Sequence, residues 1–126
     1  MTIAFPTTGC RWDANLDEQF GRCAYIGIYN ESEDQFVWIE NGSGQETASG
    51  AGVQTAQKVI DHGASVLIAH TVGPKAVRAL EDHGISICCT HKAVTVQEAY
   101  HQWKASQKGH GIEKNQKTQK NQGGSI

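Results

Sequence analysis

No apolar run in this 126-residue chain approaches the roughly 20 residues that a membrane-crossing helix needs. Nor does the N-terminus carry a basic stretch and a cleavage site. It opens directly into Ile3-Ala4-Phe5, so no secretory signal is expected and the expected location is the cytoplasm. In that reducing compartment the four cysteines are thiols or metal ligands rather than disulfides. No CxxC pair occurs among them, which removes the strong signature of zinc and ferredoxin-type sites. Basic charge is scarce over most of the chain. From Lys104 onward five lysines face one acid, Glu113, a local charge of +4 that leaves −6 for the rest of a chain whose net charge is −2. An acidic body argues against sequence-independent nucleic-acid binding by the folded part. Internal repeats are absent as well.

What is present fits one globular domain: 38% hydrophobic and 19% charged residues. Residues 1–5 read as a buried strand that stops at Pro6-Thr7-Thr8-Gly9, and residues 25–29 and 35–39 as a hairpin. Val53, Ala56, Gln57, Val59 and Ile60 then recur at helical spacing, opened by Ser49-Gly50-Ala51-Gly52 and closed by His62-Gly63. Val66-Leu67-Ile68-Ala69 is a continuous apolar strand. Pro74 starts a second helix that ends at His83-Gly84, residues 85–89 form a last strand, and Thr95-Val96-Gln97-Glu98 is a capping box for a third helix. The expected class is α/β, in the order β-β-β-α-β-α-β-α, with a mixed sheet. The domain is expected to cover residues 1–105. Residues 106–126, rich in Lys, Gln, Asn and Gly, read as a disordered basic polar tail.

This order collects several loops at one rim. If the last two strands run parallel to the first, their C-terminal ends lie where the first strand ends and the second begins. All three helices start there too. In open α/β sheets ligands bind at that edge. Glycine-rich helix starts bring free N–H groups and positive dipole ends to it, and Arg22, Lys75 and Lys92 add charge. Cys10, Cys23, His70, Cys89 and His91 also fall in the rim loops, the donor types that suit iron–sulfur units, zinc and copper(I). Cys88 is expected to point the other way into the core. His62 and His83 read as partners of helix C-termini, and His101 and His110 as solvated.

Taken in order, Ile3-Ala4-Phe5-Pro6-Thr7, Gln19-Phe20-Gly21-Arg22, Gly50-Ala51-Gly52-Val53-Gln54 and Ile68-Ala69-His70-Thr71-Val72-Gly73-Pro74-Lys75-Ala76 carry a family resemblance. Gly84-Ile85 and Thr95-Val96-Gln97-Glu98-Ala99 extend it to about residue 104. The chain resembles the dinitrogenase iron–molybdenum cofactor biosynthesis family, which includes NifX, the C-terminal domain of NifB, NafY and the small orange proteins. The resemblance implies a ribonuclease-H-like fold and a non-enzymatic role, binding or carrying an anionic metal–sulfur cluster of the iron–molybdenum or iron–sulfur type. Donor and acceptor proteins for the cluster would be its partners, with no membrane and no nucleic acid among them. Two positions depart from the family pattern. Gln19 stands where the family has the histidine of His-Phe-Gly, so that histidine's role is not carried over, and His70-Thr71 replaces a glycine pair.

The candidate cluster contacts are Thr8, Gly9, Gln19, Arg22, Gly50, Gly52, Thr71 and Gly73, and the candidate metal ligands are Cys10, Cys23, His70 and Cys89. Two other readings compete. A metal-free regulatory or interaction domain would need none of these ligands. A phosphate- or nucleic-acid-acting enzyme would need clustered carboxylates for two metal ions. Asp13, Asp17 and Glu18 share one loop but have no acidic partners on the other rim turns.

Overall fold

The computed structural model describes residues 1–42, 50–90 and 94–111. Its centre is one five-stranded mixed sheet in the order β3-β2-β1-β4-β5. The strands are β1 (Thr2–Thr7), β2 (Tyr25–Asn30), β3 (Gln35–Glu40), β4 (Val66–Ala69) and β5 (Ser86–Cys89). β1, β2 and β3 pair antiparallel, while β4 runs parallel to β1 and β5 parallel to β4. Among the described residues three α-helices flank the sheet: α1 (Ala51–Asp61), α2 (Pro74–Asp82) and α3 (Val96–Gly111). The α/β expectation holds.

Alternation along the central strands sorts the core into two layers. Ala4, Ile26, Ile28 and Leu67 face α1 and α2, where they meet Ala56, Val59, Ala76 and Leu80. Ile3, Phe5, Val66 and Ile68 face the other way, toward Val96, Ala99 and Trp103 of α3. β1 and β4 are therefore covered on both faces, which is why they read as continuous apolar runs. Trp12 reaches into the second layer from the loop after β1, within 5.1–5.5 Å of the rings of Phe36, Tyr29 and Tyr100.

Local chemistry sets the helix ends. Thr95 and Glu98 close both halves of the capping box: Thr95 N donates to Glu98 Oε1 (2.9 Å) and Glu98 N to Thr95 Oγ1 (3.0 Å). His62 Nδ1 lies 2.8 Å from Lys58 O and His83 Nδ1 3.0 Å from Ala79 O. Both imidazoles thus cap last-turn carbonyls, as the sequence suggested.

Two boundaries differ from expectation. β1 does not stop before Pro6 but runs on to Thr7. Pro6 O accepts from Asp17 N (2.9 Å), so its polar edge faces away from β2, where pairing with β4 has ended at Ala4–Leu67. The missing N–H therefore interrupts no ladder bond. The last helix continues to Gly111, past the expected domain end at 105. Alanine, glutamine and lysine sustain a helix without needing a buried face. The rest of the expected tail, residues 112–126, lies outside the described residues, as do His91 and Lys92 in 91–93 and Ser49 in 43–49.

Candidate functional site

The rim is built on a turn that the sheet cannot reach directly. After β1 the chain leaves through residues 8–14 and returns when Thr8 N donates to Asn15 O (3.0 Å). Leu16 N then bonds Val94 O (2.9 Å), and Asp17 Oδ2 accepts from Ala24 N (3.2 Å), closing the segment from 17 to 24. Within it Phe20-Gly21-Arg22 is a single 3-10 turn whose Phe20 ring is buried. Gln19 bridges to Thr71, and Phe20 N donates to Thr71 O (3.0 Å), which docks the turn beside the start of α2. A Cβ on Gly21 would come within 2.9 Å of the Gly52 backbone, so the same turn lies against the start of α1. Gly52 in turn approaches Ala76 of α2, 3.3 Å from where its own Cβ would stand.

This places several candidate residues together. Gln19, Arg22, Gly52 and Thr71 are contiguous, and Gly73 follows as the N-cap of α2. Gly50 is the N-cap of α1, in a left-handed conformation with φ 76° that glycine adopts freely. Both N-caps are glycine, so the capping residue itself offers no side chain to the first N–H groups of either helix. Next to this corner a cleft of about 460 Å³ is lined by Thr8, Asn15, Leu16, Asp17, Glu18, Gln19 and Arg22. Asp17 and Glu18 share this lining with Arg22, so the cleft carries charge of both signs, and the two helix starts add positive dipole ends beside it. Gly9 sits on the outer loop, where its carbonyl accepts from Thr7 Oγ1 (2.8 Å).

The soft donors are not brought together in the same way. Cys10 and Cys89 are exposed, but Cys23 is completely buried. Burial first, and then the charge of Asp17, push the Cys23 thiol up to about 12 from an ordinary 9.0. Expecting Cys23 as an accessible ligand is therefore corrected: it belongs to the core beneath the rim, one residue from a strand that carries it inward. His70 is half-buried, with Nδ1 at 2.7 Å from Thr90 O. A carbonyl only accepts, so Nδ1 donates in this bond. Cys88 packs against the α3-side layer, and burial raises its thiol pKa. Among the described residues no three His, Cys, Asp or Glu side chains converge on one point.

A buried polar network beneath the turn was not legible as a site. Asn41, fully buried at the end of β3, receives Lys58 Nζ on Oδ1 (2.6 Å). Its Nδ2 donates to Cys23 O (3.1 Å) and Thr55 Oγ1 (3.1 Å) and lies 3.5 Å from Cys23 Sγ. Thr55 Oγ1 passes the chain on to Gly21 O (3.0 Å). In sequence, Asn41-Gly42 reads only as a turn, and Thr55 only as a helix residue.

A profile of the dinitrogenase iron-molybdenum cofactor family matches residues 1–106. The chain belongs to that family. Among solved structures, the apo form of the orange protein from Desulfovibrio gigas is 32% identical, with a TM-score of 0.80 over 84% of this chain and 88% of that one. A NifB-like protein of the DUF35 family from Thermotoga is 27% identical, with a TM-score of 0.72 over 82% of this chain and 87% of that one. No curated protein matches the chain. As a member of the dinitrogenase cofactor family, the chain is of a cofactor-related type rather than a known catalytic one. Among its described residues no helix is long and apolar enough to cross a membrane.

Proposed function

We propose that this chain binds and carries an anionic metal–sulfur cluster, without catalysing a reaction, between a cytoplasmic donor and acceptor protein. The observation that carries the reading is the docking of Phe20-Gly21-Arg22 against the start of α1 and the turn before α2. An arginine and two helix starts with glycine N-caps meet there, and that combination favours an anion. The reading includes the ribonuclease-H-like architecture that the family resemblance implies, and the α/β class with a five-stranded mixed sheet supports it. Likeness to the orange protein, whose structure was determined in an apo form, supports a cargo-holding role.

The donor set narrows how the cargo is held. Among the described residues no three soft side chains converge, and the proposed main contacts are backbone N–H groups, Gln19, Thr71 and Arg22. Cys10, Cys89 and His70 Nε2 are the proposed soft contacts, and Cys23 is not one of them. Release is easier from such a cradle than from a closed thiolate cage.

Anaerobic titration with tetrathiomolybdate, and separately with iron plus sulfide, tests the reading. A coloured species should co-elute with the protein in stoichiometric amount, and Arg22→Gln should weaken it. If neither additive gives a co-eluting chromophore, the carrier role is wrong and the metal-free domain takes its place.

A further inference from the structure

We propose that Asn41 is a positioning residue for this site: its carboxamide holds the carbonyls on either side of Arg22 and so aims the guanidinium at the cleft. The proposal rests on the cluster-binding reading of the rim and deepens it.

The network has one consistent direction. Lys58 can only donate, so Asn41 Oδ1 must face it, at 2.6 Å. That fixes the amide orientation and points Nδ2 at acceptors alone, Cys23 O and Thr55 Oγ1. The hydrogen of the Thr55 hydroxyl is then free to reach Gly21 O. Arg22 lies between the two carbonyls that receive these bonds, directly or through Thr55. Asn41 N also donates to Ala24 O (3.0 Å), so the residue grips the same segment with its backbone. Every atom involved is protein-bound, and a buried network of this kind is rigid only when fully satisfied. The turn's own bonds are long, Arg22 N to Gln19 O and Cys23 N to Phe20 O at 3.3 Å each; Phe20 N to Thr71 O (3.0 Å) holds its first half, and the bonds to Gly21 O and Cys23 O hold its second.

Two variants separate positioning from bulk stability. Asn41→Asp keeps the acceptor for Lys58 but removes both donors, and Thr55→Val keeps the shape of the helix while removing the bond to Gly21 O. Val96→Ala, in the opposite layer, is the control for lost stability alone. Tetrathiomolybdate affinity should fall roughly tenfold to a hundredfold in the first two, as for other residues that orient a binding group. It should not change in the folded fraction of Val96→Ala. In an Arg22→Gln background Thr55→Val should cost almost nothing further, because the two act through one group.

Wild-type affinity in folded Asn41→Asp and Thr55→Val, or full additivity with Arg22→Gln, overturns the proposal. Should Asn41→Asp fail to fold, Thr55→Val decides alone. Amide exchange at Gly21, Arg22 and Cys23 without ligand gives an independent reading. If wild-type protein binds no thiomolybdate, the carrier function fails on its own account. Exchange then decides the rest: faster exchange in both variants upholds Asn41 as the holder of the turn, and unchanged exchange refutes it.

Discussion

Gly21 and Gly52 meet backbone to backbone: a methyl group on Gly21 would stand 2.9 Å from both Cα and N of Gly52. The contact joins the 3-10 turn to α1 with no side chain between them. Gly21→Ala must push the two segments apart, and an overpacked contact of this kind costs about 1–3 kcal/mol. Gly73, with φ −68° and open space around its Cβ direction, is the contrast. Gly73→Ala should shift stability by less than about 0.5 kcal/mol. Urea unfolding of the two variants checks both expectations.

Cys23 should behave as a core thiol. In native protein Cys10 and Cys89 should alkylate readily, while Cys23 stays unmodified until the chain unfolds. Its raised pKa also has a linkage sign. The folded state keeps the proton to about 12 and the unfolded state loses it near 9.0, so the contribution is fully present below 9.0 and is lost as pH rises toward 12. Wild type should therefore lose more stability above pH 9.0 than Cys23→Ala does. Equal slopes in the two proteins would contradict this.

The opposite end of the molecule has an acid-sensitive latch. Glu31 Oε2 accepts from Tyr100 Oη (2.6 Å) and Lys104 Nζ (2.9 Å), fastening α3 to the hairpin between β2 and β3. Burial lifts the Glu31 carboxyl, but the bonds from Tyr100 and Lys104 and the charges of Lys104 and the N-terminus outweigh it, leaving the pKa below the ordinary 4.5. A lowered carboxyl pKa stabilises the fold above 4.5, and the contribution disappears as pH falls through the folded value. Tyr100→Phe should cost roughly 1–2 kcal/mol at neutral pH. In Glu31→Gln the acid side of the stability profile should flatten, as thermal melts across that range would register.

The Thr95 capping box offers a local test. Thr95→Ala removes the acceptor for Glu98 N, and about 1 kcal/mol should be lost in chemical denaturation. Exchange should quicken first in the opening turn of α3.

Where local pattern dictates structure, the sequence was readable. Val66-Leu67-Ile68-Ala69 is β4 to the residue, Pro74 opens α2, and the Thr95–Glu98 box opens α3. Pro6 is a false stop because the cost of a missing N–H depends on which side of the strand it faces, and that is set by a partner eleven residues away in sequence at Asp17. Cys23 adjoins the rim in sequence, but its accessibility depends on which way one side chain turns as the chain enters β2. Asn41 carried no signal at all. Its partners, Cys23 before β2 and Thr55 and Lys58 on α1, come from two segments that only the fold brings to the end of β3.

All three tryptophans stand on the same side of the sheet. Trp12 and Trp103 belong to the α3-side layer, and Trp38 lies flat against Phe36 of that layer (4.5 Å, 6°) over the bare backbone of Gly27. The protein's ultraviolet emission is thus a one-sided instrument. It reports the docking of α3 and the hairpin, but a local parting of α1 and α2 from the other face leaves every indole where it was. Optical melts that follow emission alone track one layer, and a probe placed on α1 or α2 is needed to follow the layer that supports Arg22.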